Sequence, residues 1–401
     1  MKMNRYYLVG AGLVGLALTG NAKEFKDYLA FSMGSTTFFP RAGITTAYSD
    51  NVLFNDTFKI SDLVTTVSPG IGIRVGKAEG NHLVIGYNYD HSLYLDHNQY
   101  DAQDHRMQIA GNYEGNKLAY TGAASAALLS GVIGGSITDP LLVGGSLKVE
   151  RWNYRTTHTI DYTLTEKTGI YLTPSFYSID YEDGTPLYDD QNFTITSGGR
   201  FNVTPKTRLH GEVYYGFSSV DGNKAGLASG LDSEVVGGMF GVSFEFTAKL
   251  TGTVRTGYES RSFEGGIDAP SEPVVSLGIT YRPSLKTTVV LNYVRGSSVS
   301  SQGAGESVIS DTVSASLTQA IGNQGKYVAM AGISYRTSDY STNLAANRSF
   351  DYFGANLGLG YNFQLWMRAS LQYSYTDVSS DSVGVVTYAE NRVALTFSVG
   401  Y

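Results

Sequence analysis

The stretch Arg392-Val393-Ala394-Leu395-Thr396-Phe397-Ser398-Val399-Gly400-Tyr401 alternates without a break. Val393, Leu395, Phe397, Val399 and Tyr401 fall on one side of an extended chain, and Arg392, Thr396, Ser398 and Gly400 on the other. Side chains of a strand point to opposite faces in turn, so this segment carries one apolar and one polar surface. Upstream, Met367, Ala369, Leu371, Tyr373 and Tyr375 oppose Arg368, Ser370, Gln372, Ser374 and Thr376 in the same way. A soluble sandwich also alternates, but it turns its polar face outward and fills the inside with bulk. Here the polar face is mostly Ser, Thr, Gly and Arg, which suits a wet lumen behind a lipid-facing wall. The final strand, Val393 to Tyr401, is expected to be the segment that the barrel-assembly machinery receives.

Working back from the C-terminus, the same unit repeats to Arg151: strand, tight turn, strand, longer polar loop. The tight turns read Thr165-Glu166-Lys167, Thr204-Pro205-Lys206, Thr247-Ala248-Lys249, Pro283-Ser284-Leu285-Lys286 and Asn362-Phe363-Gln364-Leu365. Short turns on one side, long loops on the other and period-two strands between them predict an all-β fold, a transmembrane antiparallel barrel with periplasmic turns and extracellular loops. Upward strands are expected near 41–49, 81–93, 116–126, 168–181, 207–218, 249–262, 286–297, 326–338 and 366–377. Downward strands are expected near 62–75, 104–113, 151–164, 191–203, 234–246, 272–282, 308–320, 350–362 and 389–401. That is about eighteen strands, with sixteen as the alternative because alternation weakens before residue 150. Closure leaves no backbone group unpaired in hydrocarbon.

Magnitudes fix the register. The polar faces carry Arg155, Arg208, Arg255, Arg336, Arg368 and Arg392. An Arg turned to lipid at the bilayer midplane costs roughly 2–4 kcal/mol, so slipping all six outward costs on the order of 10 kcal/mol or more. They are therefore expected to line the lumen. Trp152, Tyr154, Tyr162, Tyr281, Tyr361, Trp366, Tyr373 and Tyr401 fall near strand ends, where aromatic rings settle at the membrane interface.

The 401 residues contain no cysteine, which removes disulfides, thiol nucleophiles and thiolate metal sites. Met1 to Ala22 reads as a secretory signal: Lys2 and Arg5, an apolar run from Leu8 to Leu18, then Gly20-Asn21-Ala22 with cleavage expected after Ala22. Gly10-Ala11-Gly12-Leu13-Val14-Gly15 fits a dinucleotide fingerprint but lies inside this signal and opens no strand-to-helix unit. Losing Lys2 and Arg5 takes the formal charge from −7 to −9, and an acidic surface argues against nucleic acid as a partner. Residues 23–39 are expected to form a periplasmic segment, either a tail or a partial plug, with the barrel spanning 40–401. The glycine- and alanine-rich run from Gly122 to Ile137 is too short for a membrane helix and is expected to end a strand and open a long loop.

Several stretches in order along the chain resemble the putative beta-barrel porin 2 family of bacterial outer-membrane proteins. They are Arg41-Ala42-Gly43-Ile44-Thr45-Thr46-Ala47-Tyr48-Ser49-Asp50-Asn51-Val52, Val67-Ser68-Pro69-Gly70, Thr138-Asp139-Pro140, the turn Thr204 to Thr207, and Tyr281-Arg282-Pro283-Ser284. The resemblance implies an outer-membrane barrel, with some members associated with exopolysaccharide or capsule export, and supplies no catalytic motif.

A barrel of this size leaves an aqueous channel unless something fills it, so passive passage of small polar or anionic solutes, saccharides among them, is the leading expectation. Export of polysaccharide and a plugged surface scaffold are the alternatives. Asp161, Glu212, Glu259 and Tyr214 join the inward arginines; Arg255/Glu259 and Arg208/Glu212 are each four apart on one face. Such charges either set a transverse field across the lumen or pair with each other along the wall. His158 stands on an apolar face without a nucleophile motif, which speaks against catalysis. His82, His91, His97 and His105 match no metal spacing, and no cofactor is implied.

Overall fold

The computed structural model describes residues 30–400 except 79, 133–147, 186, 222–231, 265–266, 269–270, 301–305, 323–324, 342–347 and 381–386. The expected signal with its Ala22 site, residues 23–29, Thr138-Asp139-Pro140 and Tyr401 lie outside the described residues. The chain runs through β1 (Phe31–Met33), β2 (Thr36–Ser49), β3 (Asp62–Gly76), β4 (His82–Tyr94), β5 (Ala102–Glu114), β6 (Leu118–Leu129) and β7 (Arg151–Thr163). It continues with β8 (Thr168–Tyr181), β9 (Asp189–Thr204), β10 (Thr207–Asp221), β11 (Ser233–Thr247), β12 (Leu250–Phe263), β13 (Ile267–Asp268) and β14 (Glu272–Ser284). Last come β15 (Thr287–Val299), β16 (Ser307–Ile321), β17 (Tyr327–Ser341), β18 (Arg348–Gln364), β19 (Met367–Ser379) and β20 (Tyr388–Val399).

Each long strand pairs antiparallel with its neighbours, and β20 returns to β2, aligning Val399 with Ala42 and Arg392 with Ser49. Eighteen strands thus close a barrel, with β1 folded back on β2 and β13 a two-residue flap on β12. The recurrent Thr/Ser-x-Lys triplet explains the short turns. In each, the hydroxyl of the first residue accepts the backbone N–H of the lysine: Thr165 from Lys167 (3.2 Å), Thr204 from Lys206 (3.1 Å), Thr247 from Lys249 (3.2 Å) and Ser284 from Lys286 (3.2 Å). Hydroxyl-capped turns of this kind close a hairpin without glycine.

The first barrel strand begins five residues before the expected Arg41. The boundary anticipated between a segment over 23–39 and a barrel from 40 therefore falls inside β2. Its early residues are held by pairing with β3 and by the stack of Phe31 on Phe38, centroids 4.9 Å apart.

The outer wall is apolar: Leu371 lies between Leu359 and Leu395 in the ladder, and all three side chains are more than half exposed or at half. Ile333, Leu357, Phe240 and Ile109 continue the band. Buried apolar clusters occur instead on the inner wall near the long-loop end. Val308, Tyr340, Phe350, Val378 and Tyr388 form one on β16–β20, onto which Phe54 of the 50–61 loop packs edge-on at 5.4 Å from Tyr388. Ile179 and Tyr181 of β8 form the second with Val149 and Leu187, which lie just before β7 and β9. In an eighteen-strand ring these two lie on opposite sides. Phe54, Val149 and Leu187 are thereby held against the wall.

Candidate functional site

Residues directly opposite one another in a ladder share a face, so the exposed apolar band identifies the lumen face as the other set. Arg155, Asp161, Arg208, Glu212, Tyr214, Arg255, Glu259, Arg336, Arg368 and Arg392 all fall on it. So do Arg41, Arg106, Tyr171, Arg200 and Arg261, which the sequence reading did not single out. Alternation through Phe193, Ile195 and Phe201 on the outer side of β9 was the available signal for Arg200.

The charges do pair, but across strands. Arg200 on β9 leans over Gly169 of β8 and grips Asp161 on β7, its Nε 2.9 Å from Oδ2 and Nη2 on Oδ1. Tyr171 on β8 lies across Gly198 of β9 and donates to Glu212 on β10 at 2.6 Å. Tyr214 on β10 crosses Gly237 of β11 and donates to Glu259 on β12 at 2.7 Å. Arg255 on β12 lays its stem on Gly241 of β11 and reaches Glu212 at 3.4 Å. Glu259 also accepts the Ser297 backbone N–H at 2.7 Å, beyond the point where β14 stops pairing with β15. Each bridge spans an intervening glycine, because a Cβ there would occupy the space of the crossing side chain. At Gly237 it would stand 2.2 Å from Tyr214 Cζ. Gly237→Ala is therefore expected to lower stability by about 1–3 kcal/mol, read as a shift in urea midpoint. Gly296→Ala, with no atom within 4 Å of the added methyl, leaves the midpoint in place.

The Arg255–Glu212 bridge buries the acid and leaves the base exposed, whereas the Arg200–Asp161 pair is buried on both sides. Asp161 and Glu259 are buried, and the Glu212 side chain is 8 % exposed against 37 % for its partner Arg255. Arg155, over the Tyr177 ring at 5.1 Å, and Arg392 are exposed to the lumen. Arg336 is buried with Nη2 on Ser310 at 2.7 Å, and Arg368 lies against Gly360.

The histidines do not converge. His91, His105 and His158 face outward, His82 inward, and His97 sits in a loop 2.8 Å from Asp62. His158 is satisfied on both nitrogens, by the hydroxyls of Tyr120 (2.7 Å) and Thr156 (2.6 Å). Among the described residues no three His, Cys, Asp or Glu side chains are grouped to hold a metal.

Residues 30–401 match the family model described as Putative beta-barrel porin 2. No curated protein matches the chain. Among solved structures it is similar to OpdO of Pseudomonas aeruginosa, at 11 % identity over 90 % of this chain and 97 % of that one, TM-score 0.46. It is also similar to OccK2 (OpdF) of Pseudomonas aeruginosa in complex with glucuronate, at 10 % identity over 92 % and 99 %, TM-score 0.46. OccAB3 of Acinetobacter baumannii gives 11 % identity over 92 % and 100 %, TM-score 0.44.

Proposed function

The chain belongs to the putative beta-barrel porin 2 family, and on that premise we propose that this integral outer-membrane barrel is a diffusion channel that favours small anionic solutes. Family and fold point to a channel rather than an enzyme. The supporting observation is the exposure asymmetry of the inner wall, where Arg155, Arg255 and Arg392 face the lumen while Asp161, Glu212 and Glu259 are covered by their partners. A solute passing the wall meets guanidinium groups before carboxylates, and a low-dielectric lining strengthens that field. Acidic sugars fall within the favoured class.

In planar bilayers with a salt gradient, the refolded protein is expected to show steady open steps and an anion-selective reversal potential. The triple change Arg155→Ala, Arg255→Ala, Arg392→Ala should move that potential toward zero or to cation preference. A demonstrably folded barrel that passes no current would refute the proposal, and so would a selectivity indifferent to the three arginines.

A further inference from the structure

We propose that the inner wall of β8–β12 holds a subsite for a carboxylate-bearing solute with one apolar face, seated on the lumen side of Glu212 against the Arg255 guanidinium and the Tyr171 ring. It rests on the channel reading above and adds a place where the solute pauses.

The two groups are fixed around one carboxylate. Glu212 accepts the Tyr171 hydroxyl on Oε2 at 2.6 Å and Arg255 Nη1 on Oε1 at 3.4 Å. Gly198 and Gly241 let both side chains lie down on the wall, so their orientation is set before any solute arrives. That is the preorganisation which reduces the entropic cost of binding.

Arg255 has donors to spare. A guanidinium carries five N–H groups, and here one is engaged at the long limit of a hydrogen bond. Its Nε is buried with no partner, while the side chain as a whole is 37 % exposed. The planar fork matches the two oxygens of a carboxylate.

Further arginines stand close by. His210, with Nε2 2.8 Å from Ser243 Oγ, lies in the field of Arg255, Arg208 and Arg200. Opposite those three arginines stand Asp161, already held in two places by Arg200, the shared Glu212 and, four residues along β12 from Arg255, Glu259, which is taken up by Tyr214 and the Ser297 backbone. The half-buried Tyr171 ring, with one side on Gly198 and its hydroxyl tethered, offers its other side to an apolar face. Sugar acids and aromatic acids both combine that face with a carboxylate.

The test uses benzoate and galacturonate as probes of the folded full barrel, by equilibrium dialysis and by concentration-dependent current block. Saturable binding of at least one probe is expected, and the probe that binds identifies the source of the apolar face. Arg255→Gln should raise the half-saturating concentration roughly tenfold, Arg255→Lys should fall between, and Tyr171→Leu should raise it about threefold. Tyr171→Phe, which keeps the ring, should stay within about twofold. Folding of each variant is checked by heat-modifiable gel mobility, and Arg255→Lys serves if Arg255→Gln does not fold. Anion-selective current with no saturable binding, or binding unmoved by Arg255→Gln and Tyr171→Leu, overturns the subsite and leaves the channel standing. A barrel that passes no current yet binds benzoate in an Arg255-dependent way upholds the subsite while the channel reading falls.

Discussion

Asp161→Ala is expected to destabilise the folded barrel by about 3–5 kcal/mol, measured by urea titration in lipid vesicles. Asp161 and Arg200 are 6 % and 5 % exposed at the side chain, so the pair is shielded from the water of the lumen. Arg200 commits Nε and Nη2 to the two carboxylate oxygens and a further Nη2 contact to Thr163 at 2.9 Å. Removing the carboxylate strands a permanently charged guanidinium in a place it cannot leave, because its shaft is seated on Gly169. Coulomb attraction lost is only part of the cost; desolvation without compensation is the rest. The double change Asp161→Leu with Arg200→Met takes away both charges and should recover most of the loss. If Asp161→Ala costs less than about 1 kcal/mol, water reaches the pair and the shielding inferred from exposure is wrong.

That pair also marks the limit of what the chain reveals on its own. Alternation and hydroxyl-capped turns locate all eighteen strands, Thr168–Tyr181 at both expected ends and others, such as Asp62–Gly76 and Arg151–Thr163, within one residue of theirs. Those signals are local, since each needs only one strand or one hairpin. Which inward charge meets which is not local. Spacing alone suggested Arg255 with Glu259 along one strand, yet Arg255 reaches Glu212 on β10, two strands away. The outcome depends on the stagger between strands and on a glycine in the strand between. Neither quantity is carried by the charged residues themselves. The same holds for Phe54, whose seat on Tyr388 joins residues 334 positions apart in the chain and leaves no mark on either segment. Tyr-Gly-Glu rows such as Tyr171, Gly198 and Glu212 become meaningful only once the ladder has put them side by side.

Leu371→Arg and its neighbour Gln372→Arg should differ by about 2–4 kcal/mol in unfolding free energy although they add the same group one residue apart. Leu371 is 52 % exposed between Leu359 and Leu395, in the middle of β19, where the lipid is driest. An arginine there must snorkel past apolar neighbours or thin the bilayer. Gln372 points the other way, between Gly358 and Ala394, whose small side chains leave room for a longer one. Its guanidinium would emerge into the lumen, so the change is expected to stay within about 1 kcal/mol of the parent. The comparison separates two properties at once. A large penalty at Leu371 alone means that the register is as described and the lumen is wet. Equal, large penalties at both positions would mean a dry, filled interior, and with it the loss of the diffusion channel. Equal, small penalties would mean that β19 does not face lipid at all. Because a one-residue slip exchanges every side chain between the two faces, no intermediate register can imitate the expected result.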